Sequence, residues 1–210
     1  NDFWEYNPDT DSWTQKADFS GTARYGAIGF SVNGYGYIGT GYDGSEQKDF
    51  YKYDATSNTW EQVVGFGGQK RKNATVFVID DVAYIGTGIH NGSVEYEFYS
   101  FDGTTWTSLT DLDDDDMDDT ITYTSSTGFS LNGKGYLTTG ISGSITTTCW
   151  EYTPYADTWE EVPYFEGSSR QDASSFSFDT KAFVLMGRSS NYYFDDVWEF
   201  RPDELENEDD

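Results

Sequence analysis

A chain of 210 residues with a net charge of −26 repels phosphate and anionic lipid, which excludes a basic footprint for nucleic acid or for an acidic membrane surface. Aromatic residues make up 19% of it, more ring surface than a disordered acidic chain carries and well suited to pleated sheet. The single Cys149 rules out an internal disulfide framework and a cysteine zinc site, and no apolar run approaches the ~20 residues that span a bilayer.

The chain opens in the middle of a repeat, so a preceding segment, with any signal peptide, is expected upstream. Residues 1–19 read as half a repeat: a strand at 2–6, a turn rich in Asn, Pro, Asp and Ser at 7–12, and a second strand at 13–19. In repeat 20–67 a strand at 25–32 meets the two-residue hairpin turn Asn33-Gly34, and a strand at 35–41 follows. Strands at 49–53 and 60–64 complete four. Repeat 68–116 copies this with strands at 73–79, 82–88, 97–101 and 106–109. Repeat 117–167 has strands at 125–131, 134–140, 149–152 and 159–162. Repeat 168–203 has strands at 173–178, 182–187 and 196–200 but no closing tryptophan, and the acidic tail 204–210 reads as solvated and disordered. No segment has helical periodicity with caps.

Three columns fix the register. Gly41, Gly88, Gly140 and Gly187 are spaced 47, 52 and 47 residues apart; Trp4, Tyr51, Tyr99, Trp150 and Trp198 form a second column, and Trp13, Trp60, Trp106 and Trp159 a third. A lone four-stranded sheet cannot bury both faces, so such units must stack, with the aromatic columns between them. The pattern of strand, Asn-Gly, Gly-Tyr-Ile-Gly-Thr-Gly, loop, Asp-Phe-Tyr-Lys-Tyr-Asp, turn and Trp resembles the kelch repeat, one blade of a β-propeller. It is most similar to secreted or surface kelch proteins of Bacteroidetes-type bacteria, whose central domain is called galactose-oxidase-like. The expected fold is therefore all-β: a kelch-type propeller of four-stranded antiparallel blades over 1–203, with four full repeats and a leading half. It forms either a small closed ring or, the favoured reading, part of a larger propeller.

The resemblance also bears on chemistry. A copper site of the galactose oxidase kind needs two histidines and a cysteine-linked tyrosine; one His and one Cys cannot supply it. His90 alone in a loop reads as solvated, and Cys149 as a buried thiol. Ten residues before each first hairpin stand Arg24, Arg71, Tyr123 and Arg170. In kelch propellers the following strand is innermost, so these side chains are expected at one channel mouth. There they either hold acidic peptides or carboxylates or bond neighbouring carbonyls and carboxylates. The run containing Asp113, Asp114, Asp115 and Asp116 offers clustered oxygens for calcium, against the plainer reading of a solvated charge run; Asp43, Asp49, Asp195 and Asp196 are weaker candidates. The sequons at Asn73 and Asn91 are read as chance. Tyr42, Tyr155, Tyr192 and Tyr193 can stack on sugars or proteins, or pack between blades.

The expected function is a non-catalytic binding or scaffold propeller, extracellular or in the bacterial cell envelope, engaging a protein or glycan through its loops, with no cofactor unless calcium. The alternatives are a carbohydrate-active lyase, epimerase or hydrolase, and a structural subunit of an outer-membrane assembly.

Overall fold

The computed structural model describes residues 1–112, 122–178 and 180–201. The expected acidic tail and the four aspartates proposed for calcium lie outside the described residues. A leading hairpin, β1 (Trp4–Asn7) with β2 (Ser12–Gln15), precedes three four-stranded antiparallel sheets and one of three strands. The first blade is β3 (Tyr25–Val32), β4 (Tyr35–Tyr42), β5 (Phe50–Asp54) and β6 (Thr59–Val63), paired in that order. The second is β7 (Thr75–Ile79), β8 (Val82–Gly86), β11 (Phe98–Phe101) and β12 (Trp106–Ser108), with a two-residue hairpin of β9 (Ile89–His90) and β10 (Ser93–Val94) in its loop. The third is β13 (Thr127–Leu131), β14 (Lys134–Thr138), β17 (Cys149–Thr153) and β18 (Thr158–Val162), with β15 (Ile141–Ser142) and β16 (Ser144–Ile145) in the matching loop. The last is β19 (Ser174–Phe178), β20 (Lys181–Leu185) and β21 (Val197–Phe200).

In the first three blades the first strand turns into the second through two residues in the left-handed region: Asn33 and Gly34 at φ 52° and 78°, Asp80 and Asp81 at 50° and 59°, Asn132 and Gly133 at 53° and 76°. These are the primed turns whose twist matches the strands they join. β8 and β14 stop two residues short of the closing glycines Gly88 and Gly140. There the Thr-Gly pairs leave extended geometry, with φ 60° and 93° in the second blade and 60° and 88° in the third.

The blades stack through their first strands, β3 on β7, β7 on β13 and β13 on β19. Three buried clusters fill the seams, one between each successive pair. Every seam is built alike. Rings on the first two strands stack: Phe30 on Tyr37 at 5.2 Å, Phe77 on Tyr84 at 5.4 Å and Phe129 on Tyr136 at 5.3 Å. The next blade covers each stack with one ring from its third strand. Phe101 meets Tyr37 at 5.4 Å, Tyr152 meets Tyr84 at 5.3 Å, and Phe200 meets Tyr136 at 5.0 Å. The fourth-strand tryptophans also reach back across the seam, Trp106 to Phe50 at 5.2 Å and Trp159 to Phe98 at 4.7 Å. The leading hairpin joins in the same sense, Phe3 lying 4.8 Å from Tyr53 and 5.3 Å from Trp60. Among the described residues, neither strand of this hairpin approaches a strand of the last blade.

Candidate binding face

The loop side of the array is organised by backbone bonds that cross each seam. The closing glycines donate their N–H to the next blade: Gly41 to the Arg71 carbonyl at 2.8 Å, Gly88 to that of Tyr123 at 2.8 Å, and Gly140 to that of Arg170 at 2.7 Å. A parallel set links Asn73 N–H to Gly26 O at 2.8 Å, Ser125 to Asn73 at 3.3 Å and Asp172 to Ser125 at 2.9 Å. All four of these residues have positive φ, between 54° and 62°.

The column of Arg24, Arg71, Tyr123 and Arg170 therefore sits at the junctions, and its side chains turn back into their own blades. The three arginine side chains are 3%, 0% and 0% exposed. Each Nε donates to a carbonyl two residues earlier, of Thr22, Gln69 and Ser168. Each Nη1 donates to a carbonyl 16 residues later, of Thr40 at 3.0 Å, Thr87 at 2.8 Å and Met186 at 2.9 Å. These carbonyls belong to the left-handed residues just before the closing glycines, so the guanidinium pins the kink there, which follows the second strand in the second and last blades and lies within β4 in the first.

A carboxylate completes each brace. Asp49 binds Arg24 through both oxygens at 2.5 and 3.0 Å, Glu97 binds Arg71 at 2.6 Å, and Asp196 binds Arg170 at 2.5 and 2.8 Å. The Arg170 guanidinium holds the Asp196 carboxyl down at about 2, while burial lowers Arg71 against the opposing pull of Glu97. In the third blade both partners change together: Tyr123 bonds the Thr148 hydroxyl and accepts from Trp150 Nε1 at 3.0 Å. Burial raises the Tyr123 phenol, which stays neutral. Each member of the column expected at a channel mouth is thus engaged by a brace within its own blade.

The remaining candidates are scattered. Asp43 accepts from Thr22 and Gln47, and the Thr22 hydroxyl lowers its pKa; Asp195 is exposed. Among the described residues no three His, Cys, Asp or Glu side chains converge to hold a metal. His90 lies half-buried in β9, its Nε2 3.0 Å from Asn91 Nδ2. Cys149 is buried, and burial pushes its thiol up to about 12. Tyr42 packs on Tyr25 at 5.4 Å beneath Lys72, whereas Tyr155, Tyr192 and Tyr193 stand exposed.

Two of those tyrosines mark a feature that residue spacing does not reveal. In the last blade the loops around 168–169 and 189–194 part to leave an open cleft of about 420 Å³ lined by Ser168, Ser169, Ser189, Tyr192 and Phe194. In the first blade the Thr22–Asp43 bond, 2.5 Å long, joins the corresponding loops. The cleft wall is rigid: the Phe194 ring lies 4.2 Å from the Arg170 guanidinium, which Asp196 locks from the other side. Tyr193 sits beside it on the same loop, bridged to Arg188.

Stacked antiparallel blades joined along their first strands define a β-propeller-type protein with four blades. Neither a family model nor a curated protein sequence matches the chain. The solved structure of YjhT is similar to it, with a TM-score of 0.77 at 14% identity over 94% of this chain and 72% of that one. At that identity the likeness shows the fold alone.

Proposed function

We propose that this protein is a non-catalytic binding module of the kelch type, extracellular or in the bacterial cell envelope, that engages a glycan or a protein segment through the loops of its last blade. The observation that carries this reading is the cleft at Ser168, Ser169, Ser189, Tyr192 and Phe194. Serine hydroxyls donate and accept alike, matching the hydroxyls of a neutral sugar, and an exposed tyrosine offers a ring face to its C–H surface. The overall acidity disfavours anionic ligands at long range and leaves neutral glycans unaffected. Phe194, fixed on Arg170, pre-shapes the wall, which lowers the ordering cost of binding.

The test is a glycan array probed with the labelled chain, followed by titration of the best neutral oligosaccharide. Tyr192→Ala should weaken binding by roughly 2- to 10-fold, the size of one lost stacking contact, without moving the melting midpoint. Unchanged affinity in Tyr192→Ala, or no neutral glycan or protein captured through this face, would overturn the reading.

A further inference from the structure

The first-strand hairpin turns lie at the end of the blades opposite the closing glycines, and they do not join alike. Between the first two blades they are tied twice. Asn33 N–H donates to Asp81 Oδ1 at 3.0 Å, and the Asn33 side-chain amide donates to the Asp102 carbonyl at 2.9 Å. At the next seam the register puts Asp80 in the place of Asn33 and Gly133 in the place of Asp81. A carboxylate cannot donate to a carbonyl, and glycine has no side chain to accept an N–H. Both ties are therefore lost through these two residues. Among the described residues no hydrogen bond links Asp80 or Asp81 to Asn132 or Gly133.

The seam opens there into a cleft of about 270 Å³. Ile79 and Leu131, both buried, give it an apolar lining. Its polar lining comes from Asp80, Asn132 and Ser177, all exposed, and from Ser130. The Ser177 hydroxyl donates to the Ser130 carbonyl, so its oxygen is left to accept. The cleft is interior to the array. The second and third blades supply its lining except for Ser177, which comes from the last.

We propose that this cleft binds a small primary ammonium on a hydroxylated carbon skeleton, as in an amino sugar. The ammonium supplies at Asp80 the donor hydrogens that the Asn33 amide supplies at the first seam, and it pairs with the carboxylate as it does so. Hydroxyls of the ligand find donors and acceptors at Ser130, Asn132 and Ser177, and its C–H surface meets the aliphatic lining. A net charge of −26 draws cations to the surface and repels anions. The site is separate from the loop cleft at Tyr192, and it does not depend on the function proposed for that cleft.

Titration of glucosamine into the isotope-labelled chain, at slightly acidic pH where the amine is protonated, tests this by NMR. The amides of Asp80, Asn132 and Gly133 should shift saturably, a readout that binding at Tyr192 would not move. Glucose should bind there more weakly by roughly 2- to 5-fold, the size of one exposed ion pair. Asp80→Asn should weaken glucosamine by the same factor and leave glucose unchanged. It should fold, because asparagine suits this turn position. Asp80→Asn plus Gly133→Asp copies the Asn33–Asp81 pair at unchanged net charge, and it should close the cleft and abolish the shifts with both sugars. The new side chain has open space, and Asp81 already holds the equivalent turn position at φ 59°. If circular dichroism shows the double variant unfolded, Asp80→Asn alone decides. Three results would overturn the proposal: no saturable shift at these amides, equal affinity for glucosamine and glucose, or unchanged glucosamine affinity in Asp80→Asn. Undiminished binding by a folded double variant would also overturn it, because that marks general attraction to an acidic surface.

Discussion

Replacing Arg71 by methionine keeps most of the aliphatic stem and removes the guanidinium from a site with 0% side-chain exposure. Three hydrogen bonds vanish, to the carbonyls of Gln69 and Thr87 and to the Glu97 carboxylate. Removing one partner of a buried ion pair costs ~3 to 5 kcal/mol. Glu97 is 30% exposed, so water takes up part of its freed charge and the low end applies, about 3 kcal/mol. The fully buried Thr87 carbonyl adds about 1 kcal/mol once unpaired. The total of about 4 kcal/mol is a large share of the ~5 to 15 kcal/mol that holds a domain together. Glu97→Gln keeps an acceptor but strips the counter-charge from the fully buried Arg71 guanidinium, and should cost about 3 kcal/mol. The double variant should then lose about 3 kcal/mol less than the sum of the singles, the signature of direct coupling. Urea unfolding followed by tryptophan fluorescence gives the totals. Hydrogen exchange at the Gly88 amide, bonded across the seam to Tyr123, reports whether the kink loosens with the brace. A loss below about 1 kcal/mol for Arg71→Met, with additive singles, would refute the bracing role.

Three further outcomes follow from the same geometry. Gly88→Ala should destabilise by more than about 2 kcal/mol, because its φ is 93° and a Cβ would stand 2.6 Å from the Lys72 carbonyl oxygen; Gly34→Ala, at φ 78° with open space around it, should cost only about 1 kcal/mol by the same unfolding assay. Asp196 has a folded pKa of about 2 against an ordinary 3.8, so its contribution is fully present above about 4 and is lost as pH falls towards 2. With 36% of that side chain exposed the contribution is about 1 kcal/mol, and Asp196→Asn should flatten the stability–pH curve by that amount in this window and nowhere above it. Cys149, buried with its thiol at about 12, should resist iodoacetamide in the native protein and react fully in urea, as mass spectrometry would show.

The repeat was legible because its signal is redundant: glycine, tyrosine and tryptophan columns each give the blade period, and the Asn-Gly pairs locate the turns at 33–34 and 132–133. The braces were half legible. Arg24, Arg71 and Arg170 align at once, but their fate depends on carboxylates 25 or 26 residues downstream, just ahead of the third strand. Asp49 and Asp196 were visible only as isolated acids. The joint change to Tyr123 and Thr148 in the third blade is the one signal in the chain that ties the two columns together. The left-handed column of Gly26, Asn73, Ser125 and Asp172 was not legible. Glycine, asparagine and aspartate favour that conformation but also fill ordinary turns, and at Ser125 the inter-blade bond to the preceding carbonyl imposes it. The cleft at Tyr192 depends on how two loops part, which side-chain periodicity does not encode.

The guanidinium brace separates two jobs that most loops must do at once. Because Arg71 or Arg170 fastens the kink at Thr87 or Met186 from inside the blade, the segment beyond the closing glycine leaves from a fixed anchor and returns to one, Glu95 or Phe194 donating its N–H back to that glycine's carbonyl. What lies between those anchors is mechanically insulated from the sheet. Foreign peptides spliced in place of residues 90–94 or 189–193 should be carried without cost to the blade, which makes the array a chassis for display and lets natural recognition diversify by exchanging short cassettes.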